Sequence, residues 1–237
     1  GFLNGHTPFS ALVAFSSVLT AFIHGIEFIA LSNESSANEA TVFNSDVNHQ
    51  YSKSLEFESD FINYEKNYIH SGIQYFSLLR PLTEIGIAKI FSGLKKYHPI
   101  FQSCNVGSKQ GIWCAKCPKC LFVYIILSPF LQHDEMVRIF GKDMLDDISL
   151  LPTFEKLIGL QPEKPFECVG SRDEVNAALQ ELLRRYEADG TPLPKMVKYY
   201  KELDIPIKYD IHEMCKRYDE NNHIPKQFVN AIKSRIQ

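Results

Sequence analysis

The chain has 237 residues, 45% of them hydrophobic and 12% aromatic, enough to bury a core in one domain with an appendage or in two small domains. Its formal charge of -3 comes from nine basic and nine acidic residues in the first 120 positions and sixteen against nineteen thereafter, so no basic stripe marks a nucleic-acid surface. The longest apolar run, from Pro8, is broken by serines, His24, Gly25 and Glu27 and lacks a basic flank, so neither a membrane span nor a signal peptide is expected. A reducing, cytoplasmic setting is the default expectation.

In chain order, residues 8–23 are apolar on nearly every face and predict a helix covered on all sides. "IEFIALSN" predicts a short buried strand, feeding the polar loop "ESSANEATVFNSDVNHQ". "SLEFESDFINYEKNYI" spaces its apolar residues by three and four and predicts an amphipathic helix. "QYFSLLRPLTEIGIAKIF" predicts a strand, a stop at Arg80-Pro81 and a helix with proline near its first turn, and "HPIFQS" a further short strand. "LFVYIILSPFL" fits a core helix. Beyond Leu131 only helices are expected, among them one opened by Ser171 and Glu174 at capping-box spacing and closed by Gly190, with shorter ones near Met196, Ile211 and Phe228. The expected fold is an α/β layer over residues 1–131, followed by an all-helical region over 132–237. With no initiator Met and a helical pattern starting at once, the chain is expected to be part of a longer protein.

Cys104, Cys114, Cys117 and Cys120 fall in "CNVGSKQGIWCAKCPKC" at C-x9-C-x2-C-x2-C spacing, which lets four thiolates converge from a tight loop. Zinc is the expected ion, with Lys116 and Lys119 offsetting thiolate charge; the same ligands would also hold an iron-sulfur cluster. Four protein ligands leave zinc no open position, so such a site staples a loop and does no chemistry.

The order of strand, polar loop, helix, "PLTEIGIAKI", "SCN" and "WCAKCPKCLFVY" resembles the C-terminal portion of PP-loop ATP pyrophosphatases, and in particular the 7-cyano-7-deazaguanine synthase group. The resemblance implies a partial PP-loop-like α/β layer. The Ser-Gly-Gly-Lys-Asp-Ser type loop that holds ATP in those enzymes is not in this sequence, so an upstream phosphate-binding segment of the same protein is an expected partner. More narrowly, "GHTPFSALVAF", "LSNESSANEA", "VNHQYSKSLEFE", "GIWCAKCPKC" and "KPFECVGS" resemble the bacterial UDP-N-acetyl-alpha-D-muramoyl-L-alanyl-L-glutamate epimerases. That family implies ATP, with Mg, as co-substrate, release of AMP and pyrophosphate, a UDP-MurNAc-dipeptide substrate and a place in peptidoglycan precursor synthesis. Two other functions stay open: a PP-loop amidating or thiolating enzyme acting on a nucleobase or tRNA, and a zinc-stapled binding module without catalysis.

Epimerisation needs acid/base groups at the α-carbon. Cys168, on a loop ahead of a capped helix, is either a reactive thiol or a packed one. His6 in "NGHTP" is an acid, base or phosphate contact, or else a surface residue. Glu34 and Asn38 in "NESSAN" follow a strand end and are candidate substrate contacts, with an ordinary polar turn as the alternative. His49 and Lys53 in "HQYSKS" suit a phosphate or carboxylate, unless they merely open the next helix. Arg80 would clamp a substrate carboxylate or pair with Glu84 at the surface. Cys215 reads as packing.

Overall fold

A computed structural model describes residues 9–38, 48, 50–165, 167–206 and 210–236. The first helix, α1 (Phe9–Ile23), leads through a left-handed turn at Gly25 into strand β1 (Phe28–Leu31). After the polar loop, Ser54 caps helix α2 (Leu55–Tyr64) by accepting a hydrogen bond from the Phe57 amide. A wide turn over Glu65–Ile69 then returns the chain to strand β2 (Gln74–Ser77). The two strands pair in parallel with Phe28 opposite Gln74 and Leu31 opposite Ser77, so α2 lies in the crossover that parallel pairing requires.

Helix α3 (Glu84–Ser92) starts at Thr83, whose hydroxyl accepts from the Gly86 amide. Pro81 therefore lies two residues ahead of the cap, near the first turn but not in it. The strand expected in "HPIFQS" is absent: Phe101 packs between Phe91 and Trp113 instead, and among the described residues no strand lies beside it to pair with. Helix α4 (Pro118–Leu127) follows the cysteine loop and is buried around most of its circumference, as a core helix should be.

The chain then forms α5 (His133–Phe140), α6 (Leu151–Ile158), α7 (Arg172–Asp189), α8 (Lys195–Glu202), α9 (Ile211–Lys216) and α10 (Lys226–Lys233). The Ser171/Glu174 capping box and the left-handed Gly190 at the end of α7 are both present. Among the described residues the architecture is helix-rich with one small parallel sheet, compatible with an α/β class. No described helix is long and apolar enough to cross a membrane.

The largest core joins α3 through α9, with Phe122, Ile125, Phe154, Val175 and Leu179 at its centre. A smaller one holds Ala14, Val18 and Ala21 of α1 against Phe61 and Tyr75. Only that small-residue face of α1 is covered; Leu12, Phe15, Leu19 and Phe22 are exposed, correcting the expectation of a helix covered on all sides. The apolar surround of α1 exceeds what one helix and two strands can cover.

Candidate functional site

The loop after β1 folds back onto α3 through two hydroxyls: Ser35 Oγ donates to the Leu82 carbonyl at 3.1 Å, and Ser36 Oγ donates to Glu84 Oε1 at 3.3 Å. Asn38 is exposed, and its Oδ1 accepts from the Leu55 amide at 2.8 Å, tying this loop to the start of α2. Lys53 sits one residue before the Ser54 cap, so the helix start fixes its direction.

From there Lys53 Nζ reaches Cys168 Sγ at 3.2 Å across 115 residues of sequence. Lys119, in the first turn of α4, donates to the Cys168 carbonyl. Cys168 is half-buried, with one lysine on its sulfur and another on its backbone. This is the electropositive, partly accessible setting in which a cysteine can act as nucleophile or proton acceptor.

The cysteine knot supports the same loop. Gly107 N–H and Cys114 N–H donate to Cys104 Sγ at 3.2 and 3.4 Å, and the four sulfurs lie within 4.8 Å of one another. A tetrahedral zinc with bonds of about 2.3 Å needs sulfurs about 3.8 Å apart; the Cys104–Cys117 and Cys114–Cys120 separations are 3.9 and 3.7 Å. The donor set fits a closed four-thiolate site, and Cys117 and Cys120 bracket Lys119. Asn105 Nδ2 donates to Glu167 Oε2 at 2.9 Å, a second tie from the knot to the Cys168 loop.

Glu84 was foreseen only as a surface partner for Arg80. It opens α3 with its carboxyl largely withdrawn from water, and its pKa is pushed up to about 8, chiefly by burial and then by the Glu34 carboxylate, with Lys119 opposing. Gly170 explains how the Cys168 loop comes so close: a Cβ there would lie 3.0 Å from Glu84 Cγ and 2.7 Å from Phe122 Cζ. Glu174 clamps the two halves together. Its Oε1 accepts from the Glu84 amide at 2.6 Å, while Oε2 accepts from the Ser171 amide and hydroxyl at 3.2 and 2.7 Å. One buried carboxylate thus caps both α3 and α7.

Arg80 is turned inward, 1% exposed, and pairs with Glu58 rather than Glu84. Its Nη1 donates to the Glu34 carbonyl at 2.6 Å and its Nη2 to the Lys53 carbonyl at 2.5 Å and to Glu58 Oε2 at 3.2 Å. It braces the backbone behind Glu34 and Lys53. His6 and His49 lie outside the described residues. Glu84 and Lys119 are the members of this cluster whose role in it the sequence did not disclose; Glu84 reads there as a surface partner for Arg80 and Lys119 as a counter-charge to the thiolates.

The family profile described as the MurL N-terminal domain matches residues 1–78, and that of the MurL C-terminal domain matches 100–204. A protein named UDP-N-acetyl-alpha-D-muramoyl-L-alanyl-L-glutamate epimerase from Xanthomonas oryzae pv. oryzae is 37% identical over 195 residues, covering 79% of this chain and 43% of that protein. Proteins of the same name from Salinispora tropica and Micromonospora sp. are 38% and 36% identical, over 76% and 81% of this chain and 40% and 44% of their own lengths. The matched region thus spans less than half of these relatives. No solved structure matches the chain.

Proposed function

Because the chain belongs to the UDP-N-acetyl-alpha-D-muramoyl-L-alanyl-L-glutamate epimerase family, we propose that it carries the proton-transfer part of an enzyme that inverts the terminal L-Glu of UDP-MurNAc-L-Ala-L-Glu to D-Glu. The observation that carries this reading is the Lys53–Cys168 contact, held between the two family-matched regions.

The α-proton of a glutamyl carboxylate resists removal, because the carbanion would put a second negative charge beside the first. Transfer of AMP from ATP to that carboxylate, with pyrophosphate leaving, gives an acyl-adenylate whose α-carbon can be deprotonated by a side-chain base. Cys168 is that base: its sulfur takes the proton and the electron pair passes to the acyl oxygen. Lys53 pairs with the sulfur and orients it. Reprotonation from the other face, then hydrolysis to AMP, makes inversion irreversible. His6 remains a proposed acid, base or phosphate contact, and Glu34, Asn38 and His49 proposed contacts for the glutamyl or phosphate groups, whereas Arg80 acts from behind by bracing Glu34 and Lys53.

The four cysteines are proposed to hold a structural zinc that fixes α4 and with it Lys119 beside Cys168. ATP, as its Mg complex, is assigned to a PP-loop-like phosphate-binding segment outside this chain. Two features support that reading: the relatives are more than twice as long as the region they share with this chain, and the apolar stripe of α1 suits a covering segment. Six free cysteines, four of them converging as ligands, suit the cytoplasm.

The test is to incubate full-length protein with ATP, Mg and UDP-MurNAc-L-Ala-L-Glu, then hydrolyse the product and separate the glutamate enantiomers. D-Glu formed together with AMP supports the proposal; AMP without D-Glu, or D-Glu without ATP, contradicts it.

A further inference from the structure

Inversion at carbon needs a proton removed from one face and another delivered to the opposite one, and Cys168 accounts for a single face. We propose that Glu84 is the second proton-transfer group of this site, donating to the face of the glutamyl α-carbon opposite Cys168. This rests on the epimerase reading above.

Three placements carry it. A Cβ at Gly170, two residues after Cys168, would lie 3.0 Å from Glu84 Cγ, so the Cys168 loop and the head of α3 are neighbours. Lys119 lies between them, bonded to the Cys168 carbonyl and close enough to act on the Glu84 carboxyl. Glu174 receives the Glu84 amide and the Ser171 amide on one carboxylate, which fixes the distance between α3 and the loop leading into α7.

The chemistry suits the role. Ser36 Oγ donates to Oε1, leaving the other carboxyl oxygen to carry a proton. The charged groups acting on Glu84 are Glu34 beside the Ser35–Asn38 turn, Lys119 from α4 and Glu174 from α7, while α9 meets α3 through the backbone of Cys215 and Met214. Burial and the two carboxylates outweigh Lys119 and the Ser36 hydrogen bond, so the pKa of about 8 keeps Glu84 a neutral acid at pH 7. In the step, the Cys168 sulfur takes the α-proton, and the electron pair moves onto the acyl oxygen. As the enolate collapses, Glu84 delivers its proton to the α-carbon and becomes a carboxylate. Solvent then removes the thiol proton and restores the carboxylic acid.

The test compares full-length wild type with Glu84→Gln in deuterated water containing ATP, Mg and UDP-MurNAc-L-Ala-L-Glu. Wild type yields the D-epimer carrying deuterium. Glu84→Gln is expected to keep AMP release and to return L-epimer labelled at the α-carbon, since Cys168 still exchanges its own face, while the D-epimer falls by about 100-fold or more. Glu84→Asp keeps the acid and is expected to recover at least about tenfold of that loss, and it decides the matter if the glutamine variant does not fold. D-epimer formed by Glu84→Gln at the wild-type rate, loss of L-face labelling together with epimerisation in the folded variant, or no recovery with aspartate would each overturn the proposal. If wild type itself makes no D-epimer, the epimerase reading fails and takes this one with it; wild-type activity with an active glutamine variant removes Glu84 alone.

Discussion

Replacing Arg80 by Met distinguishes a brace from a substrate clamp. The side chain is 1% exposed, so the substitution keeps most of the packing volume and removes the charge and donors. Glu58, equally buried, would retain the Ser77 amide and hydroxyl on its two oxygens but lose its cation, and the Glu34 and Lys53 carbonyls would each lose a donor. Breaking one side of a buried pair costs about 3–5 kcal/mol, because the remaining charge stays uncompensated. Urea unfolding followed by circular dichroism should show that loss. The double variant Glu58→Gln/Arg80→Met should recover about 1–3 kcal/mol relative to the sum of the single changes. An Arg80→Met protein of near wild-type stability, with a raised KM as its main defect, would refute the brace and restore the clamp.

Removing the shared cap by Glu174→Ala leaves the Glu84 and Ser171 amides without acceptors and should cost about 2–4 kcal/mol in chemical unfolding, with Glu174→Gln recovering part; a loss below about 0.5 kcal/mol would contradict the clamp. Bound metal, measured by atomic emission, should be one zinc per chain in the wild type and far less in Cys117→Ala, whereas full retention would contradict the four-thiolate site. Stability should also depend on pH through Glu84. Its pKa is about 8 in the folded chain against 4.5 for the ordinary group, so between these values the folded state holds a proton that the unfolded state has released. Stability is therefore fully present below about pH 4.5 and falls as pH rises through 8, by on the order of 5 kcal/mol. Glu84→Gln should flatten that slope in melting curves from pH 5 to 9, and an unchanged slope would place the titration elsewhere.

What was legible in the sequence was local. The Ser171/Glu174 box, the stripe of α2 and the buried length of α4 are set by side chains three or four residues apart, and each element formed where its pattern lay. The four cysteines likewise announce their convergence by spacing alone. Long-range partners left no such trace. Nothing near Lys53 points to Cys168, and Arg80 found Glu58, on the helix before β2, rather than Glu84, four residues along. Glu84 reads as no more than a surface partner for Arg80 because its distinguishing feature, withdrawal from water beneath the Cys168 loop, exists only once Gly170 lets that loop approach. The apolar helix α1 misled for the opposite reason: hydrophobicity on every face shows a demand for cover without showing what supplies it.

The central claim, that Cys168 exchanges the glutamyl α-proton after ATP activates the carboxyl group, is tested most directly by counting deuterium. Full-length wild type in deuterated water should place one deuterium on the α-carbon for each AMP released. Cys168→Ala should release AMP while leaving the α-position protonated and the glutamate in the L form. Deuterium incorporation by Cys168→Ala at the wild-type ratio to AMP would contradict the account.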